Sequence, residues 1–206
     1  MSKREERRGE RRAAILETAS QFFMEQGFAG TTMSAVAAGL GGSKGTLWSY
    51  FSSKEDLFAA CIEGKIEAFR AELVSVLDPG APLRPAIEGF CRSFMAKIRE
   101  PNSIALYRLL VGQSMRAPEA GRIFFERGPG VIEALLTAFL RGQVEAGRLR
   151  DEPPLEMAQV LISLCNGISH QRLLLGLAPD HAPYKPPAPK RITELFFRLY
   201  GVAEAT

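Results

Sequence analysis

This chain of 206 residues predicts an all-α fold, and three observations carry the prediction. Apolar residues recur at helical spacing almost throughout. The alternating β-branched runs that would mark strands are nearly absent. Capping residues and Gly/Pro breakers punctuate the chain at helix-length intervals. The expected architecture is a small three-helix head, a long fourth helix, and a larger helical body.

From Arg11 to Gln26 the chain carries Ile15, Ala19, Phe22 and Phe23 on one helical face, then reaches Gly27, a C-terminal cap. Thr32 can cap a second helix holding Val36, Ala37 and Leu40, which ends at Gly41-Gly42. Ser43 opens a third helix that runs only to about Tyr50. Ser53, with Asp56 three residues on, reads as a capping box for a long fourth helix to about Leu77. Residues 78–82, DPGAP, are a breaker cluster and the natural linker. Helices are then expected over 83–99, 101–115, 118–125, 128–147 and 154–176. The stretch 177–190 holds five prolines in fourteen residues and stays non-helical for most of its length, and a last helix runs from about 190 to 202. The expected division is residues 1–53 as head and 54–206 as body.

Composition excludes several classes. Hydrophobic residues make up 46% and charged residues 24%, the balance of an ordinary globular chain. No apolar run approaches the roughly 18 residues of a membrane span, and the charged start MSKREERRGERR is no signal peptide, so a cytoplasmic protein with no membrane partner is expected. Cys61, Cys91 and Cys165 sit far apart in apolar helical contexts and read as buried free thiols. His170 has no metal-ligand partner at suitable spacing and His181 lies in the proline-rich stretch, so no metal and no cofactor are expected. No nucleophile elbow or phosphate loop supports an enzyme. The net charge of +3 permits a nucleic-acid partner without requiring one.

The stretch GGSKGTLWSYFSSKEDLF, residues 41–58, holds the main clue. Two short helices joined by a Gly turn and packed on a longer one describe a helix-turn-helix. Its second helix can stay short, because only its first turns meet base edges in a major groove about 12 Å wide. Ser43 leaves backbone N–H groups near a phosphate position, Lys44 brings a mobile charge, and Gly45 permits close approach. Thr46, Trp48, Ser49 and Tyr50 offer hydrogen-bond donors, and Lys54 aims a second charge at the backbone. Leu47 and Phe51 would hold the helix on the core. The competing reading makes Trp48 and Tyr50 core aromatics. Within 1–12, Lys3, Arg4, Arg7, Arg8, Arg11 and Arg12 stand against three Glu, either as a charged terminus or as an arm on phosphates.

The segment TTMSAVAAGLGGSKGTLWSYFSSKEDLF resembles the DNA-binding region of the tetracycline-repressor (TetR) family, over roughly residues 10 to 60. The resemblance implies a regulator that contacts double-stranded DNA through Thr31 or Thr32, Lys44, Gly45, Trp48, Ser49, Tyr50 and Lys54. Trp48 stands where the family usually has Tyr, and Leu40 and Gly42 where Ala and Val are usual. Residues 116–176, with IFFERGPGVIEALLTAFL, GRL and LLLG, are similar to AefR-like C-terminal domains.

The body is expected to bind ligand and to dimerise. Helix 154–176 and the last helix carry more apolar surface than one face holds, so a twofold homodimer through Leu161, Ile168, Ile192, Leu195, Phe196 and Leu199 is expected. Phe69, Phe90, Phe94, Tyr107, Met115, Phe124 and Phe139, with Asn166 and His170, are candidates to line a pocket for a small apolar effector, ordinary core packing being the alternative for each. The leading expectation is a ligand-responsive repressor on an inverted-repeat operator. The alternatives are a ligand-insensitive DNA-binding adaptor and, more remotely, a small-molecule enzyme.

Overall fold

The computed structural model describes residues 3–41, 44–177 and 186–202, with only the backbone at 44. They form ten helices: α1 (Lys3–Gly30), α2 (Met33–Gly39), α3 (Lys44–Trp48), α4 (Lys54–Val76), α5 (Leu83–Arg99), α6 (Pro101–Gln113), α7 (Pro118–Arg127), α8 (Pro129–Glu145), α9 (Pro154–Leu174) and α10 (Pro189–Tyr200). The β-structure among the described residues is one isolated antiparallel bridge, Leu149–Gly201. The helices α6 to α10 each open on a proline. There the missing N–H costs nothing, since the first-turn N–H groups lack helical partners anyway.

Two helix ends depart from expectation. The segment before Arg11 is helical from Lys3, because its Arg, Glu and Lys residues are good helix formers and Glu5 and Glu6 sit favourably in the first turn. At α9 the expected continuous helix is broken at Gly167 (φ 49°, ψ −175°). The matching break in α1 falls at Gly27 (φ 73°, ψ 175°), after which one more turn runs to Gly30. His181 and the middle of the proline-rich stretch lie outside the described residues.

The chain forms two compact units, the first running up to Ala68 and including Ala105–Pro129, the second comprising Phe69–Ile104 and the chain from Gly130 onward. The helix α4 is divided between them, so its first half belongs with the head. The core of the first unit joins Ile15, Phe23 and Phe28 of α1, Val36 of α2, Leu47 of α3 and Phe58 of α4 to Leu110 of α6 and Ile123 of α7. Its centre is an aromatic trio: Phe58 meets Phe23 edge-on at 4.9 Å and Phe28 at 5.2 Å.

In the second unit α5, α9 and α10 pack together. Ile87, Phe90 and Cys91 meet Leu161, Cys165, Ile192 and Phe196, all essentially without solvent exposure. Arg84 adds its guanidinium 4.2 Å above the Phe197 ring. All three cysteines are free and buried.

Candidate nucleic-acid interface

A helix as short as α3 has no stability of its own, so packing must hold it. Leu47 is buried against the head core, and Phe51 follows it into the same core. Burying Leu47 contributes about 2 kcal/mol. The turn after Trp48 is closed by Tyr50 and Phe51 donating their N–H groups to the Leu47 carbonyl, at 3.0 and 3.1 Å. With Leu47 and Phe51 facing inward, the opposite side faces solvent: Trp48 is 51% exposed, and Gly45 and Ser49 are exposed. An indole left in water at the tip of a short helix is an unusual expense of apolar surface, and it speaks against the core-aromatic reading for Trp48. Tyr50 is half-buried against the core. Thr46 is half-buried too, and its carbonyl accepts the Ser49 hydroxyl at 2.7 Å. Ser43 and the side chain of Lys44 lie outside the described residues.

The helices flanking α3 are set by caps. Thr32 Oγ1 accepts the Ala35 N–H at 3.1 Å and starts α2. At α4 the Ser53 hydroxyl accepts the Asp56 N–H at 3.0 Å, while the Asp56 carboxylate turns back to the Ser52 hydroxyl instead of the Ser53 backbone. These hydroxyls, Ser52 foremost, hold the Asp56 carboxyl below the usual carboxylate range.

Two of the residues expected at the DNA surface are turned inward. Thr31 is 1% exposed, and its hydroxyl lies 2.7 Å from the Gly27 carbonyl and 3.1 Å from that of Phe22. The Gly27 carbonyl also accepts the Thr31 N–H at 3.2 Å, so Thr31 ties the turn after the Gly27 break through both its backbone and its hydroxyl. Thr32 is the exposed member of the pair. Lys54 donates to the Phe28 carbonyl at 2.8 Å, with its ammonium 4.3 Å from the Phe28 ring centre. It clasps α4 to the end of α1 and does not reach outward.

The cations that do flank α3 come from the first turns of α1. Arg4, Arg7, Arg8 and Arg11 follow i, i+3, i+4, i+7 spacing, share one helix face, and line an open groove of about 530 Å³ with Ser49 and Tyr50. The Arg8 guanidinium sits 5.8 Å from the Tyr50 ring centre. Sequence reasoning treated these residues only collectively, as an arm; the periodicity was legible once the helix was carried back to Lys3.

The expected pocket residues are divided between the two units. Phe90 and Phe94 are stacked at 5.5 Å inside the second unit, where Phe69 and Phe139 are also buried. Tyr107 and Phe124 meet edge-on at 6.1 Å in the first unit. Met115 is 94% exposed at the end of α6 and lines nothing, because α6 has already stopped at Gln113. Asn166 and His170 flank the Gly167 break, both half-buried. Burial and the nearby Arg99 charge push the His170 imidazole down, so it is neutral at physiological pH.

Three expected dimer residues are likewise corrected. Leu161, Ile192 and Phe196 have no exposure within the single chain, so they build the protomer's own core. Ile168 (49% exposed) and Leu199 (50%) face out, with Leu195 half-buried beside them and Leu155, Leu175 and Val202 as further outward apolar groups. No helix among the described residues is long and apolar enough to cross a membrane.

Comparison with known proteins bears on this arrangement directly. The C-terminal domain of AefR-like transcriptional repressors matches residues 85–202, and the bacterial regulatory proteins of the tetR family match residues 15–61. A solved structure of the flavonoid-responsive regulator FrrA is 30% identical, with TM-score 0.76, covering 94% of this chain and 98% of that one. A TetR-family regulator from Mesorhizobium loti is 21% identical, with TM-score 0.74, over 94% of this chain and 98% of its own. The HTH-type transcriptional regulator BetI of Rhizobium meliloti is 29% identical over 55% of this chain and 56% of BetI, so that match spans little more than half of the relative. The exposed short helix, the caps that place it and these matches agree: the chain belongs to the TetR family, whose members are DNA-binding transcriptional regulators and not enzymes.

Proposed function

We propose that this regulator is a repressor that binds an inverted-repeat operator as a homodimer and is released by a small apolar effector. Residues 1–53 read the DNA, residues 54–206 hold the effector and the partner, and the protein acts in the cytoplasm, where the operator is. The single observation that carries the DNA half is the outward Trp48 on a five-residue helix whose Leu47 is sealed inside. In this reading Trp48 and Ser49 meet base edges and phosphates, and the Arg4, Arg7, Arg8 and Arg11 face neutralises the adjoining backbone.

Repression is supported by the AefR-like repressor match and by relatives named repressors, among them KstR2 of Mycobacterium tuberculosis, 29% identical over 48% of this chain. Response to an effector is supported by the flavonoid-responsive relative. Dimerisation rests on the outward Ile168, Leu199 and Leu195, which carry apolar surface that a second copy would cover. An effector that prefers one arrangement of the two heads shifts the population toward it and so weakens or strengthens DNA binding.

The test is a mobility shift on DNA flanking the protein's own gene, with Trp48→Ala beside the wild type. Retarded DNA is expected for the wild type, and a loss of about tenfold or more for the variant on the specific site alone. Equal loss on random DNA removes the base-reading role from Trp48. Sedimentation as a monomer at micromolar concentration removes the dimer.

A further inference from the structure

Arg99, the last residue of α5, is a cation in the wrong place for a surface residue. It is half-buried, and burial disfavours its charged form. One nitrogen donates to the Met95 carbonyl at 2.8 Å and another to the Ser169 hydroxyl, across on α9, at 3.1 Å. Both partners are neutral. No carboxylate among the described residues pairs with it, although Lys97 beside it takes Glu100 at 2.8 Å and Arg92 takes Glu88 at 3.0 Å. Two ionisable groups that interact with it are neutral: His170 is driven toward its uncharged form, and the Cys165 thiol, facing Cys91, is pushed far up by that contact and by burial. A guanidinium carries five N–H donors in a flat fork, and the described bonds use two nitrogens.

A desolvated cation without a counter-charge is costly unless an anion arrives. The surroundings are built to receive one. Ser169 and His170 follow the Gly167 break, which turns this end of α9 out of the direction set by Leu161 and Cys165. Asn166 stands immediately before the break, and the buried Phe94 and Met95 lie one turn back along α5 from Arg99. A planar cation, neutral hydrogen-bonding side chains and nearby buried apolar residues thus occur within a single compact unit.

We infer that Arg99 seats the anionic head of the effector, so that the effector class is an apolar carboxylate. Arg99 and Ser169 grip the carboxylate, with the fork geometry favouring a two-oxygen contact, and the apolar body lies along α5. This rests on the proposal that the body takes a small effector.

The experiment compares apolar carboxylates with their primary amides (decanoate with decanamide, 3-phenylpropanoate with its amide, 2-naphthoate with its amide) by calorimetric titration of the full-length protein. Wild type, Arg99→Gln and Arg99→Lys are measured together. For the carboxylate that binds, the amide is expected to be weaker by about tenfold or more, Arg99→Gln to erase that difference, and Arg99→Lys to keep part of it. Amides that bind as well as carboxylates, or a carboxylate preference that survives Arg99→Gln, overturn the anion seat while leaving the effector reading intact. Binding of neither class overturns both. A melting curve without ligand separates a structural role: an uncompensated cation predicts Arg99→Gln as stable as wild type or more so, and a loss of several degrees assigns Arg99 to capping α5 instead.

Discussion

The elbow at Gly27 and the elbow at Gly167 look alike along the backbone and differ in everything around it. Each is a glycine at positive φ inside what is otherwise a helix. At Gly27 the surroundings are closed. A Cβ there would collide with the Gln113 side-chain amide, Thr31 bonds the Gly27 carbonyl through its N–H and its hydroxyl, and Lys54 holds the carbonyl of the next residue. At Gly167 a Cβ would meet nothing within 4 Å. The first bend is over-determined by side chains from α4 and α6, as a fixed platform for α2 and α3 requires. The second is held by its own dihedrals, near a half-buried cation with no carboxylate partner among the described residues. Holding a short exposed helix in place calls for the former; the proposed effector site calls for the latter.

The largest effect that would test this contrast is Gly27→Ala. Adopting φ near 73° with a side chain that also strikes Gln113 should destabilise the protein by about 3 kcal/mol, lowering the thermal midpoint by roughly 6–12 °C. A fall below about 1 kcal/mol would mean the elbow is not locked. Adding Gln113→Ala removes the collision but not the strain, so the pair should couple and recover about 1 kcal/mol in a double-mutant cycle. Gly167→Ala, with open space, should cost about 1 kcal/mol from φ alone; a loss equal to that at Gly27 would erase the distinction.

Lys54→Met should cost about 1 kcal/mol through the lost Phe28 carbonyl bond and ring contact, and should leave the salt dependence of DNA binding nearly unchanged. Arg8→Gln should do the reverse: almost no change in melting, and a log–log salt slope shallower by about 0.9 for each protomer bound. If Lys54→Met flattens the slope as much as Arg8→Gln does, the inward placement of Lys54 is not the one it keeps on DNA.

How much was legible in the chain follows from the range of the forces involved. Caps and breakers act within three or four residues, so Thr32, Ser53, Gly27 and the prolines mark helix ends readably. The exposed side of α3 was legible for a similar reason: Leu47 and Phe51, four apart, leave Trp48 and Ser49 on the other side of so short a rod. Thr31 and Thr32 were not separable, because nothing local says which hydroxyl a broken helix will recruit. Lys54 misled in the same way, its acceptor being a carbonyl 26 residues earlier. On α9 and α10 the apolar residues exceed one face, but which of them the protomer buries depends on α5, a different stretch of chain altogether.

Periodicity and capping thus sufficed, with no coordinates at all, for a helical chain with short helices near its start, and the motif's resemblance to the TetR family supplied the regulator. They depend on neighbours close in sequence, whose geometry a helix repeats faithfully. Tertiary packing alone settled that Thr31 and Lys54 face inward, that four arginines of α1 line a groove beside Tyr50, that Leu161, Ile192 and Phe196 belong to the core of the single chain, and that Arg99 lies half-buried with no carboxylate partner among the described residues. Burial and charge pairing are properties of what lies across space, and a one-dimensional chain does not state its neighbours there.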